Sequence, residues 1–383
     1  MHTKHEQTKR EVVVITGASA GVGRAAARRF AQAGASVALL ARGEDGLEAA
    51  RREVEELGGR ALVCPVDVAD ATAVLAAAER IERELGPIDV WVNNAMVSVY
   101  APFAEIAPDE FRRVTEVTYL GFVYGTMAAL KFMKPRDRGV IVQVGSALAY
   151  RSIPLQSAYC GAKHAIKGFT ASLRSELLHD GSAVHVCMVQ LPAMNTPQFD
   201  WTLNRMGEEA QPVPPIFQPE VGAEAIFWMA HHRRREIFVG GPTVKAILGN
   251  RVIPGLLDRY LAGAAYEGQT TGRTRPPGRP NNLWEPLPGD HGARGRFDDR
   301  STDRSWQLEA SMHRNTLMTV GAVAGAAAAY WWWRHSQAAL VQPYRRTTWS
   351  PARPYVGDQS EDPADATGER TVSTAAHGDV PRS

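Results

Sequence analysis

The sequence predicts an α/β fold: one doubly wound parallel sheet of seven strands with helices on both faces. Three observations predict it. Short β-branched runs alternate with longer segments of helical apolar spacing up to about Gly241. The strand-like runs are apolar at nearly every position, as strands covered on both faces are, rather than at every second one. The first run opens into a glycine-rich turn that leads straight into a helical pattern.

The strands read in order as "VVVITG", "SVALLAR", "ALVCPVD", "IDVWVNNA", "VIVQVGS", "AVHVCMVQLP" and "EIFVGG". The helices between them are amphipathic. In "DATAVLAAAERIERELG", Val74, Ala78, Ile81 and Leu85 form one stripe, and glutamates and arginines fill the opposite face. Ligands of such sheets bind outside the carboxyl ends of the strands, which is where reactive residues are to be sought.

Composition narrows the class. Of 383 residues, 44% are hydrophobic and 22% charged, values of a globular protein, and the net charge of +2 calls for no nucleic acid. Three scattered cysteines, Cys64, Cys160 and Cys187, contain no CxxC pair and suggest neither disulfides nor a metal site. The opening "MHTKHEQTKREVVVITG" has no apolar leader segment, so the expected address is the cytoplasm. Half of the 24 prolines follow Gly241, and "TTGRTRPPGRPNNLWEPLPG" reads as a wrapping segment. The expected organisation is a polar tail (1–10), a folded domain (11–241), an extension (242–310), an apolar helix (311–335) and a disordered tail (336–383).

The first turn, "TGASAGVG", is built to accept a diphosphate. Gly17, Gly21 and Gly23 allow a tight turn and close approach, and the helix behind offers unpaired N–H groups and the positive end of its dipole. An ordinary glycine-rich turn is the alternative. Ser19, Ala20 and Val22 complete the cradle. Arg42 stands at the end of the second strand, where a carboxylate would bind a ribose hydroxyl and a basic residue a 2′-phosphate. That favours NADP(H) over NAD(H), unless Arg42 pairs with nearby Glu44 or Asp45 at the surface.

In "SAYCGAKHAIKGF", Tyr159 and Lys163 lie four residues apart and share a helix face. A phenol titrates near ~10 in water. A neighbouring ammonium would lower that value and ease proton exchange. Ser146 ends the fifth strand on the ligand side, where its hydroxyl can hold a carbonyl oxygen.

Together these pieces resemble the short-chain dehydrogenase/reductase family over residues 10–241. The match rests on "TGASAGVG", "VDV" at Asp67, "VNNA", "VGS", "YCGAK" and "LPAMNT". The resemblance implies a Rossmann fold and interconversion of a small-molecule carbonyl and alcohol. Tyr159 would be the proton donor or acceptor, Ser146 the carbonyl binder, and Lys163 the holder of the nicotinamide ribose. Asp67 and Val68 would lie near the adenine, Asn93 and Ala95 would steady strand and cofactor, and Pro192 and Thr196 would contact the nicotinamide side. It also implies a homo-oligomer. Met96, Thr118 and Ala193 depart from the family pattern. Thr118 stands where an asparagine supports a proton relay. Those departures motivate a second reading, a dinucleotide-binding scaffold or redox sensor that turns over poorly.

The segment after the sixth strand carries Met194, Phe199, Trp201, Met206, Ile216 and Phe217. With Met96 it suggests an apolar substrate pocket, or simply a lid packed on the body. Leu317 to Trp333 are free of charge, contain a GxxxG at Gly321 and Gly325, and end in aromatic residues. Two readings stand for 317–333: a membrane contact, or a small-residue helix packed on protein.

Overall fold

The computed structural model describes residues 10–276 and 278–340. Seven strands form its main sheet: β1 (Val12–Thr16), β2 (Ser36–Ala41), β3 (Arg60–Pro65), β4 (Val90–Asn93), β5 (Val140–Ser146), β6 (His185–Leu191) and β7 (Glu236–Phe238). All pairings are parallel, in the order β7-β6-β5-β4-β1-β2-β3. The strand order reverses beside β1, the switch point at which a crevice opens at the strand ends.

The pleat sorts β1 onto two cores. Val13 and Ile15 pack with Phe30, Leu47 and Ile226, whereas Val12 and Val14 pack with Ile81, Trp91 and Ile141. Helices α1 (Gly21–Gln32) and α2 (Glu44–Glu56), with the helix Pro219–His231, cover the first face. Helices α3 (Ala71–Glu84), α4 (Pro108–Thr115), α5 (Gly121–Met133) and α6 (Ser157–His179) cover the second. Asp70 starts α3 by accepting the backbone N–H groups of Thr72 and Ala73 at 2.9 and 3.0 Å. Between α4 and α5 the chain makes a π-turn, Glu116–Leu120.

The extension wraps onto this body. Helices Gly241–Val252 and Pro254–Glu267 are followed by a largely irregular return that buries Leu283 and Phe297, and by a short helix, Trp306–Met312, that buries Leu308. The chain divides after Val320. In the second unit the helix Arg314–Leu340 continues, and Tyr330, Trp331, Trp332 and Trp333 are exposed. Among the described residues no helix is long and apolar enough to cross a membrane, so a spanning segment at 317–333 finds no support. Alanine and glycine give this helix length without sufficient apolarity. Residues 336–340, expected to be disordered, are helical. The rest of that tail, and the N-terminal tail up to residue 9, lie outside the described residues.

Candidate active site

One cavity of about 920 Å³ opens at the carboxyl ends of the strands. Its floor is the turn between β1 and α1. Gly17 has φ +67°, a left-handed conformation that favours glycine. At Gly23 an added Cβ would sit 2.2 Å from the Gly17 carbonyl oxygen and 2.6 Å from Asn94 Nδ2. No side chain caps the head of α1, and its first turn holds no carboxylate. These features fit a dinucleotide diphosphate. Gly17, Ser19, Ala20, Gly21 and Val22 line the cavity as the sequence suggests. Gly23 does not line it and instead supports the turn from behind.

The turn is tied to β4 by a residue that the sequence reading passed over. Asn94 donates through Nδ2 to the carbonyls of Thr16 and Gly17 at 3.0 and 3.3 Å, and it lines the cavity. Thr16 Oγ1 accepts the N–H groups of Asn94 and Ala95. Asn93, expected beside the cofactor, faces the interior: it bonds Trp91, Thr126 and Gln143 and is not on the cavity wall. Adjacent residues at a strand end point to opposite faces, so only one of the pair can reach the cavity.

At the far end of the cleft stand Arg42, Asp67 and Val68. Asp67 accepts from the Ala69 N–H at 3.0 Å and pairs with Arg113. Arg42 pairs with neither Glu44 nor Asp45. Its Nη1 donates to the Trp284 carbonyl at 2.7 Å and the Leu283 carbonyl at 3.4 Å, and its Nη2 to the Asn282 carbonyl at 2.5 Å.

Nearer the middle, Ser146, Tyr159 and Lys163 converge on the same cavity. Ser146 Oγ accepts the Leu148 N–H at 3.1 Å and lies beside the Tyr159 phenol. Lys163 is 2% exposed, and its Nζ donates to the Val144 carbonyl at 2.8 Å, joining α6 to β5. The expected acidified phenol is not what the protein groups produce. Burial pushes the Tyr159 phenol well above its usual value, and the nearby Ser146 hydroxyl offsets that only in part. Burial also pulls Lys163 down to about 7, so its charge is itself weakened near neutrality. Its ammonium lies 5.5 Å from the centre of the tyrosine ring.

Thr118 lies off the cavity wall, in the π-turn. Its hydroxyl donates to the Val97 carbonyl at 2.8 Å and accepts the Val97 N–H at 3.0 Å, which fixes the loop after β4. Ala95, Met96, Pro192, Ala193, Met194, Thr196 and Phe199 do line the cavity, as does Trp201. Met206, Ile216 and Phe217 do not; the last two are buried in the cores. The lid reading therefore divides, with part of the segment facing the cavity and part only packing. Leu257, Tyr260, Leu261 and Ala265 from the extension add to the apolar wall. They lie in the helix Pro254–Glu267 of the extension, whose sequence holds no motif that marks the cavity as its destination.

A parallel sheet with a glycine-rich turn at its switch point, and Ser146, Tyr159 and Lys163 in the same cavity, is the architecture of a class of protein, the dinucleotide-dependent oxidoreductases. Comparison with known proteins agrees. The family model described as short chain dehydrogenase matches residues 11–205. The Bacillus subtilis protein named "Uncharacterized oxidoreductase YxnA" is 31% identical over 84% of this chain and 90% of its own. Human dehydrogenase/reductase SDR family member 7 is 38% identical over 43% of this chain and 50% of its own length. A metagenomic short-chain oxidoreductase solved in complex with NADP is 26% identical, with TM-score 0.51, covering 60% of this chain and 96% of that one. An alcohol dehydrogenase from Thermococcus sibiricus, complexed with 5-hydroxy-NADP, is 27% identical with TM-score 0.52, over 60% and 96%. The chain belongs to the short-chain dehydrogenase/reductase family and is an NAD(P)-dependent oxidoreductase.

Proposed function

We propose that the protein reduces a lipophilic ketone or aldehyde to the alcohol with NADPH, the reverse reaction using the same groups. The observation that carries this reading is the meeting of Ser146, Tyr159 and Lys163 in the cavity floored by the glycine turn. Gly17 to Val22, Asn94 and Thr196 would hold the dinucleotide, which when bound supplies the hydride. Ser146 orients the carbonyl oxygen by donating its hydroxyl. Tyr159, kept neutral by burial, carries its proton at physiological pH as a donor to that oxygen must. Lys163 braces the tyrosine from beneath and is anchored on Val144.

The walls support the substrate class. Met96, Met194, Phe199, Leu257 and Leu261 line the same cavity as Ser146 and Tyr159 and add apolar surface to it. NADP(H) is favoured over NAD(H) by Arg42 at the end of β2, and a homo-oligomer by the family. The test is NADPH oxidation by purified protein with a panel of carbonyl compounds. Turnover of bulky lipophilic carbonyls ahead of small polar ones is expected. Dinucleotide binding without turnover of any of them would favour the scaffold or sensor reading, which the departures at Met96 and Thr118 motivate.

A further inference from the structure

The return of the extension, from Asn282 to Gly292, forms a wall of the cavity. Asn282, Pro286, Leu287, Gly289 and His291 line it together with the glycine turn and the end of β2. Both ends of the return are fixed in the body. Leu283 is fully buried with Val66, Val68 and Val114. At the other end, buried Asn195 accepts the Phe297 N–H at 3.0 Å and donates to Asp298 at 2.8 Å. Between these anchors the Gly292 carbonyl accepts the Gly21 N–H at 3.2 Å. Asp290 pairs with Arg24, which is 2% exposed and also holds the Ser19 carbonyl and Glu53.

The effect on Arg42 is specific. Three of its five N–H donors are engaged by backbone carbonyls of residues 282–284, and all three acceptors are neutral. Asp45, three residues on, holds the segment as well by accepting the Gly289 N–H at 2.7 Å. Asp67 is likewise paired, with Arg113. Arg42 forms no ion pair among the described residues. Its Nε–H and remaining Nη2–H have no protein acceptor there. The result is a guanidinium fixed in orientation, with the carboxylates of Asp67 and Glu285 near enough to act on its charge but not bonded to it, at the cavity wall where a dinucleotide's adenosine end would lie.

We propose that residues 282–292 are a specificity element of the dinucleotide site: they orient Arg42, so that the guanidinium presents its two remaining donors to a ribose 2′-phosphate. This rests on the proposed function for the location of the dinucleotide and deepens it. The segment's backbone makes the selection through Arg42, and Asp290 is a positioning residue that keeps the segment seated through Arg24.

The experiment measures dissociation constants of NADPH and NADH by fluorescence titration for the full chain and for Arg42→Ala, Asp290→Ala and Asp45→Ala, each checked by circular dichroism. Wild type should bind NADPH at least tenfold more tightly than NADH. Arg42→Ala should abolish that ratio. Asp290→Ala should lower it several-fold, chiefly through NADPH, with NADH binding within about twofold of wild type. Asp45→Ala releases the Gly289 N–H by a route that does not touch Arg24, and it should lower the ratio in the same way if Asp290→Ala fails to fold. A folded Asp290→Ala or Asp45→Ala that weakens both dinucleotides equally, or neither, overturns the proposal, as does a wild type that prefers NADH. Failure of the wild type to bind either dinucleotide would instead overturn the location of the site.

Discussion

Lys163 lies against the ring of Tyr159, its ammonium 5.5 Å from the ring centre, yet its hydrogen bond goes to the Val144 carbonyl and not to the phenol. In the proposed reaction the lysine is a support and the phenol above it the proton donor. Removing the phenol's oxygen should leave the support intact. Tyr159→Phe is expected to lower kcat for carbonyl reduction by about 10²–10⁴-fold, the usual contribution of a general acid, while the NADPH dissociation constant stays within a few-fold. Equal turnover by wild type and variant would remove Tyr159 from the mechanism.

Lys163 also predicts a pH dependence of stability. Its ammonium falls from 10.5 to about 7 on burial. Between those values the unfolded chain holds a proton that the folded chain has released. Stability contributed by this group therefore rises with pH from about 7 to about 10.5, and its cost is fully present below that window. In Lys163→Met the dependence is absent. Urea unfolding of both proteins should give a wild-type-minus-variant difference that climbs across the window; a flat difference would show that the lysine is not desolvated.

Gly23→Ala tests the cradle. The new methyl group would have to displace the Gly17 carbonyl or the Asn94 amide, which lie 2.2 and 2.6 Å from it. Dinucleotide affinity should fall by more than tenfold, while far-ultraviolet circular dichroism keeps its native shape. Unchanged affinity would mean that the turn does not bind the diphosphate.

Thr118→Val keeps shape and deletes one hydroxyl. The Val97 N–H and carbonyl then lose their partner in a fully buried site. A loss of about 1–3 kcal/mol in unfolding free energy follows from one or two unsatisfied backbone groups. Chemical denaturation measures it, and a loss below about half a kcal/mol would mean that water replaces the hydroxyl.

The sheet was legible because each strand announces itself: Val12 to Ile15 or Val140 to Val144 could be little else than strands with both faces covered. Tyr159 and Lys163 were legible through helical spacing, and Ser146 through its place at a strand end. What escaped the sequence is mostly backbone. The acceptor of Lys163 is a carbonyl, and so are the three acceptors of Arg42; a carbonyl has no letter of its own in a sequence. The phenol's acidity was misjudged for a related reason. Charge can be counted along a chain, whereas desolvation depends on everything packed around the group. Asn93 and Asn94 differ only in which way the pleat turns them, and that is set by the register of β4 with β1.

The pairing of Arg24 with Asp290 joins positions 266 residues apart. At a synthesis rate of about 5–20 residues per second, the glycine turn leaves the ribosome roughly 13–50 s before the carboxylate that will seat over it. During that interval the cavity at the strand ends lacks one wall, and the late arrival of Asn282 to Gly292 completes it. A nonsense mutation between Lys163 and Asn282 would thus encode Ser146, Tyr159 and Lys163 in full and leave the cavity permanently without that wall.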